Sequence, residues 1–176
     1  MHPIEIEGVP FILGIGEHVD EETQRRAGVK ISLFDISDET SPQETATFID
    51  EGASSTANND FKAFRYLPLS QKLILPKSEW SRSERNNFDG FTVFDIDLDG
   101  IAPAYEIQHA RSYDMFHGCW YNAYMPARSL VFQSKLTTIL SHSVISTDLA
   151  DGVKLWDMNL DVGLNNTDCL PYFFGY

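Results

Sequence analysis

The segment 94-FDIDLDGIAPAYE-106 constrains the fold more than any other part of the chain. Its apolar residues alternate with aspartates up to Leu98, and a period of two is typical of a β-strand that buries one face. Asp99-Gly100 follows, a dipeptide that favours a two-residue type I′ turn because both central residues need positive φ. We therefore predict a β-hairpin, in which a strand over 91–98 turns into a second strand near 101–111.

The same segment also matches the calcium-binding loop of an EF-hand, which gives a second hypothesis. Positions 1, 3, 5 and 12 of that pattern supply carboxylate oxygens to a hard cation, and here they are Asp95, Asp97, Asp99 and Glu106. Position 9 is Pro103, which offers neither a side-chain oxygen nor an amide, and strand-like alternation replaces the first flanking helix. A turn without metal is favoured, and calcium or another cation bound by these four residues remains the alternative.

Alternating apolar residues predict further strands in the first half of the chain. Such patterns begin near Ile4, Phe11 and Val29, and a short apolar run at 73–75 adds another strand. A glycine at position 8 separates the first two, as expected of a turn. Runs of strands without long helices between them favour an antiparallel sheet over a parallel one.

Two or three short helices are also predicted. Ser41-Pro42-Gln43-Glu44 has the residue order of a helix N-terminus, which indicates a helix from Pro42 to about Glu51. Residues 127–145 carry apolar side chains at helical spacing and are the best long-helix candidate, with two strands as the alternative. Residues 20–26 suit one or two helical turns. The predicted fold class is α+β, a mostly antiparallel sheet of about eight strands with short helices packed against it, in a single domain over 1–176.

Negative charge dominates the chain and is concentrated near its beginning. The formal net charge is −13, and residues 1–60 hold thirteen acidic and three basic residues. Such a chain repels phosphate backbones and anionic lipids, so we expect no nucleic-acid or membrane partner. A basic protein partner fits the charge, with acidic side chains and aromatic anchors forming the contact. The residues predicted to bind it are Asp20, Glu21, Glu22, Asp38, Glu39, Trp120, Tyr121 and Tyr124.

Two cysteines and the absence of a visible targeting signal predict a cytoplasmic protein. The first residues lack the basic start of a secretory signal, and no segment reaches the roughly 20 apolar residues that span a bilayer. Two cysteines, Cys119 and Cys169, are too few for a disulfide scaffold, and the sequence does not decide whether they pair.

A second group of residues has the chemistry of a metal or catalytic site. Glu106 and His109 lie three residues apart, and His117 and Cys119 follow. These types bind zinc or iron, and a histidine beside a thiol can activate it as a nucleophile. On a strand, however, Glu106 and His109 point to opposite faces. The sequence contains none of the glycine-rich or hydrolase motifs that would support catalysis.

The function that these observations favour is a non-enzymatic, acidic binding protein that docks on another protein. An inhibitor or immunity-type protein, or a subunit of an assembly, are its two forms. One alternative is an enzyme or small-ligand-binding protein with a pocket near His109, His117 and Cys119. Another is a calcium-stabilised module that uses the three aspartates of the hairpin. No cofactor is expected apart from that calcium, and the oligomeric state stays open.

Overall fold

The computed structural model describes residues 1–79, 88–109, 127–140 and 143–160. In these ranges it contains thirteen β-strands and a single 3₁₀ turn, Thr56–Asn58. The strands are β1 His2–Ile6, β2 Val9–Val19, β3 Arg26–Asp35, β4 Gln43–Glu51, β5 Ala53–Ser54, β6 Arg65–Leu67, β7 Lys72–Glu79, β8 Phe88–Asp97, β9 Gly100–Gln108, β10 Arg128–Phe132, β11 Lys135–Leu140, β12 Ser143–Asp148 and β13 Lys154–Asn159.

The strands form three antiparallel sheets, each following chain order. The first sheet has the order β1-β2-β3-β4, the second β5-β7-β8-β9 with β6 paired to β7, and the third β10-β11-β12-β13. Apart from β5, which pairs with β7, each strand that is followed by another strand of its own sheet pairs with that next strand, as in a meander. The chain divides into two compact units, Met1–Gln108 with the first two sheets and His109–Tyr176 with the third. The single domain over 1–176 stays a prediction.

The α+β prediction is wrong, because the described residues contain no α-helix. Residues predicted as a helix from Pro42 to Glu51 form β4, whose period-two burial places Ala46 and Phe48 on the inner face. A helix-capping signal is local and worth about 1 kcal/mol, whereas pairing with β3 satisfies the backbone groups of β4 that face it along the length of the strand. Residues 20–25 form the turn between β2 and β3.

The long helix predicted over 127–145 is also wrong. Most of its described residues lie in β10, β11 and the start of β12. The β-branched Thr137, Thr138 and Ile139 fit the pleated surface of β11 better than a helix. Gln133, with a φ of 55°, lies in the two-residue turn between β10 and β11. A positive φ at this position breaks the helical path that the apolar spacing suggested.

The hairpin predicted at 94–106 is confirmed, with its turn one residue earlier than expected. Asp97 pairs with Gly100, so Leu98 and Asp99 are the central residues of the turn. The Asp97 carboxylate accepts hydrogen bonds from the amides of Asp99 at 2.9 Å and Gly100 at 3.0 Å. Gly100 has a φ of 136°, which a residue with a Cβ rarely adopts. The predicted strands that begin near Ile4, Phe11, Val29 and 73–75 are confirmed as β1, β2, β3 and β7.

The core of the first unit lies between the inner faces of the first two sheets. Phe48 from β4 meets Phe94 from β8 edge to face, with ring centroids 5.0 Å apart. Burial of each large apolar side chain contributes roughly 1.5–3 kcal/mol, so this layer supplies most of the driving force. The buried members are Ile6, Phe11, Leu13, Val29, Ile31, Leu33, Ala53, Leu73, Leu75, Phe94 and Ile96. In the described residues no helix is long and apolar enough to cross a membrane.

The described strands of the second unit differ in burial: β12 is buried at successive residues, whereas β13 is exposed. Leu136 and Thr138 of β11 are fully buried and lie on the same face. Leu130 and Trp156 share the other face, because each is aligned across the sheet with the Thr137–Ser146 pair. Both are about half exposed. Ser146, which is aligned between them, is only 1% exposed, so burial in this sheet differs between strands as well as between faces.

Candidate functional site

The hairpin aspartates and Glu106 lie on different faces of the second sheet. Glu106 of β9 pairs with Thr92 of β8. Asp95 lies three residues after Thr92 on β8 and pairs with Lys72 of β7. Because successive strand side chains alternate between faces, Asp95 and Glu106 point in opposite directions. Asp95 forms an ion pair of 2.7 Å with Lys72. The structure brings Asp97 and Asp99 together through the turn, but it does not bring Glu106 to them.

No group of three or more metal-ligating side chains converges among the described residues. Asp97 uses its carboxylate to hold the turn amides. A cation bound by the four predicted residues therefore stays a hypothesis that this arrangement does not support.

Glu106 instead joins a charge network centred on Lys77. The Lys77 ammonium lies 2.8 Å from Asp50 of β4, 2.7 Å from Glu79 and 3.0 Å from Glu106. Its side chain is only 6% exposed, and the Phe88 ring lies 5.0 Å away. Burial acts to lower the pKa of Lys77, but hydrogen bonds to the three carboxylates outweigh it and raise that pKa above its usual range. The network therefore links the first and second sheets through a fixed positive charge.

Four connections of the first unit meet at one end of its strands. The Ile36 amide donates to the Pro10 carbonyl at 3.1 Å, which places the β1–β2 turn beside the β3–β4 loop. Gly100 packs next to the Ala46 side chain, near the start of β4. The Ile96 amide donates to the Gln71 carbonyl at 2.8 Å, which adds the loop before β7.

This end carries six carboxylates, which we call the acidic end: Glu7, Asp35, Asp38, Glu39, Asp97 and Asp99. The four connecting loops contain no Lys or Arg. Hydrogen bonds from the hydroxyls and amides of Ser37 and Thr40 lower the pKa values of Asp35 and Asp38, respectively. Both carboxylates are therefore ionised at neutral pH, and the acidic end carries an excess of negative charge. Lys72, the first residue of β7, follows one of these loops and is paired with Asp95.

Sequence reasoning missed two apolar residues at the acidic end. Leu69, in the loop before β7, is fully exposed, and Leu98, in the β8–β9 turn, is 52% exposed. Each is a single apolar residue within a polar turn, and this placement in the sequence could have indicated an exposed apolar side chain. An exposed leucine alone needs no explanation, but two in loops that meet among ionised carboxylates form a contact surface of mixed character.

The structure separates the residues predicted to bind a partner. Asp38 and Glu39 belong to the acidic end. Asp20, Glu21 and Glu22 lie in the β2–β3 turn, at the opposite end of the first sheet. β2 has eleven residues, so the two ends are roughly 30 Å apart. The predicted anchors Trp120, Tyr121 and Tyr124 lie outside the described residues, as do His117, Cys119 and Cys169.

His109 is the one described member of the predicted catalytic pocket. It is 2% exposed, and its Nε2 lies 2.9 Å from the Thr138 hydroxyl, which donates to the Ile145 carbonyl. Burial lowers the pKa of His109 to about 4, and a hydrogen bond with the Ser143 backbone opposes that shift in part. His109 is therefore neutral at physiological pH and packed within its own unit. A pocket that also uses His117 and Cys119 stays a prediction.

A comparison with protein-family models agrees with the arrangement of the sheets. The chain matches the family model of the "Beta propeller domain" over residues 1–152. Among solved structures, it is similar to a europium-containing methanol dehydrogenase at 11% identity with a TM-score of 0.45, over 89% of this chain and 24% of that one. No curated protein matches.

The family match accounts for the sheets and corrects two predictions. A propeller blade is a four-stranded antiparallel sheet, and each described sheet contains such a meander. The match therefore overturns α+β together with the structure, and neither comparison supports an inhibitor or immunity role, which we do not retain. The family model covers most of the 176 residues, and the chain belongs to the beta propeller domain family.

Proposed function

We propose that these propeller blades form a docking module, which binds a positively charged and partly apolar segment of a partner protein at the acidic end. The observation that carries this proposal is the convergence of six carboxylates and two exposed leucines at four loops and the strand ends beside them, where the loops contain no Lys or Arg. Loops held by rigid strands are common binding surfaces because the sheet fixes their positions.

The negative charge of the acidic end favours a positively charged partner segment, and the two exposed leucines favour a segment that also carries apolar side chains. A surface of one charge steers an oppositely charged segment and raises its association rate, an effect that salt screens within about 10 Å. Leu69 and Leu98 offer apolar contact from which water can be excluded. The same field repels nucleic acid and anionic lipid. A basic segment with one or two apolar side chains is the complement of this surface.

A matched pair of charge-reversal variants tests the proposal. Asp38→Lys/Glu39→Lys changes the acidic end, and Glu21→Lys/Glu22→Lys changes the opposite end by the same amount, so both move the net charge from −13 to −9. Proteins captured from the native host would be compared between the two variants and the unmodified chain. We expect a basic partner to be lost with the first variant and kept with the second, and to elute as salt rises.

Leu98→Ser separates docking from simple charge attraction. It should weaken capture of the same partner without changing the net charge. If both charge variants lose binding equally, or if no captured protein depends on Asp38 and Glu39, the acidic end is not a docking surface.

A further inference from the structure

A cavity with a mixed polar and apolar lining lies at the end of the first unit opposite the acidic end. Its volume is about 360 Å³, and its side-chain lining includes Glu17, Arg26, Ser54, Asn58 and Asn59. The cavity is bounded by the ends of β2 and β3, by the junction between β4 and β5, and by the 3₁₀ turn. This volume falls in the lower part of the range of small-molecule sites.

Backbone geometry fixes the walls of this cavity. Gly28 lies against the Asp50 carbonyl, where any Cβ would overlap that oxygen. Gly52 has a φ of 77°, and its amide donates to the Ala27 carbonyl at 2.7 Å. On the third side the Ser55 hydroxyl donates to the Pro76 carbonyl at 2.6 Å and accepts from the Ala57 amide at 3.2 Å. The 3₁₀ turn is therefore pinned to β7, and the cavity is preformed.

The charge at the rim is balanced. Arg26 and Glu17 form an ion pair of 2.8 Å, in which Arg26 is largely exposed and Glu17 is 30% exposed. Serine hydroxyls and asparagine amides make up the rest of the polar side-chain lining. Such a lining offers both hydrogen-bond donors and acceptors without a net charge.

The side-chain oxygen of Asn58, Oδ1, is buried without a hydrogen-bond donor in any part of the chain that the structure describes. A buried acceptor without a donor is uncommon in native proteins and calls for an explanation. Asn58 is also one of the residues that line the cavity, so a ligand bound there meets a side-chain amide whose hydrogen bonds within the chain are incomplete.

We propose that the cavity binds a small neutral polyhydroxyl ligand, a single sugar ring or a polyol of similar size. Hydroxyl groups donate and accept at once, which matches the paired donors and acceptors of the asparagines and of the Glu17–Arg26 pair. A phosphate would be repelled by Glu17 and meets no unpaired cation in the described lining. This site does not depend on the acidic end, because it involves none of the same residues.

Titration of the ¹⁵N-labelled chain tests this site. The probes are glucose, mannose, galactose and glycerol, with glycine and inorganic phosphate as controls. We expect at least one sugar or polyol to shift the amide resonances of Ser54 and Asn59 and the side-chain amide of Asn58 saturably, with a dissociation constant on the order of millimolar. Glycine and phosphate should leave these signals unchanged.

Variants show whether the binding belongs to the cavity. Asn58→Ala should weaken the affinity about tenfold or more, and Asn59→Ala, at an exposed position, should weaken it without a risk to folding. Ser70→Ala, in a loop of the acidic end, is the matched control and should change nothing. The proposal is overturned if none of the four neutral probes shifts these signals, if the shifts survive both asparagine variants, or if phosphate or glycine binds instead.

Discussion

Replacement of Lys77 by methionine should destabilise the first unit. The loss should be larger than the loss from removing one charged side chain of any other ion pair described in that unit. Methionine keeps the length of the side chain but removes the charge that three carboxylates share. Removing one member of a buried charge network costs about 3–5 kcal/mol, because the remaining charges are left without compensation. Glu79 and Glu106 are 36% and 51% exposed and regain water, whereas Asp50 is only 17% exposed. The cost therefore arises mainly at Asp50, and we expect about 3 kcal/mol.

Urea denaturation followed by tryptophan fluorescence and circular dichroism measures this loss. Lys72→Met is the matched control, since Lys72 pairs with a carboxylate that is 49% exposed, and it should cost about 1 kcal/mol or less. Adding Asp50→Asn to Lys77→Met should recover part of the loss, with a coupling of about 2 kcal/mol. Equal losses for the two lysine variants, or no recovery in the double variant, would refute a network centred on Lys77. The raised pKa of Lys77 means that this stability is complete below its ordinary value of 10.5 and is lost only as pH rises beyond it.

Two further predictions concern a titration and a glycine. The pKa of His109 is lowered from 6.5 to about 4, so between these two pH values only the unfolded chain takes up the proton. The second unit should therefore be most stable above pH 6.5 and should lose up to about 3 kcal/mol of stability as the pH falls towards 4. Urea midpoints measured between pH 4 and 8 check this, and His109→Gln should flatten the curve; an unchanged slope in that variant would assign the pH dependence to other groups. Gly28→Ala should destabilise the first unit by roughly 2 kcal/mol or more, because the new Cβ overlaps the Asp50 carbonyl, whereas Gly16→Ala, which meets open space, should change the melting temperature little.

Strands β8, β9 and β4 show most clearly which structural features local sequence signals predict and which depend on contacts between distant residues. The alternation up to Leu98 and the Asp99-Gly100 dipeptide predicted the hairpin, because both signals act within a few residues. The exact turn escaped prediction, since it depends on the Asp97 carboxylate capping two amides. At β4 the local capping signal pointed to a helix, and pairing with β3 decided otherwise.

The candidate site depended almost wholly on tertiary structure. Sequence reasoning named Asp38 and Glu39 but grouped them with acids that lie at the opposite end of the sheet. It placed Glu106 with the hairpin aspartates, whereas the antiparallel register turns Glu106 to the other face and into the Lys77 network.

The sequence by itself determined most of the strands in the first half of this protein and its strong negative charge, although it predicted helices at 20–26 and 42–51. Periodicity and turn chemistry are properties of neighbouring residues, so they can be read directly from the chain. Only the tertiary structure decided which strands pair, which ends of strands meet, and which lysine is buried among carboxylates. Those outcomes depend on register and sheet packing between residues far apart in sequence, which no local pattern specifies.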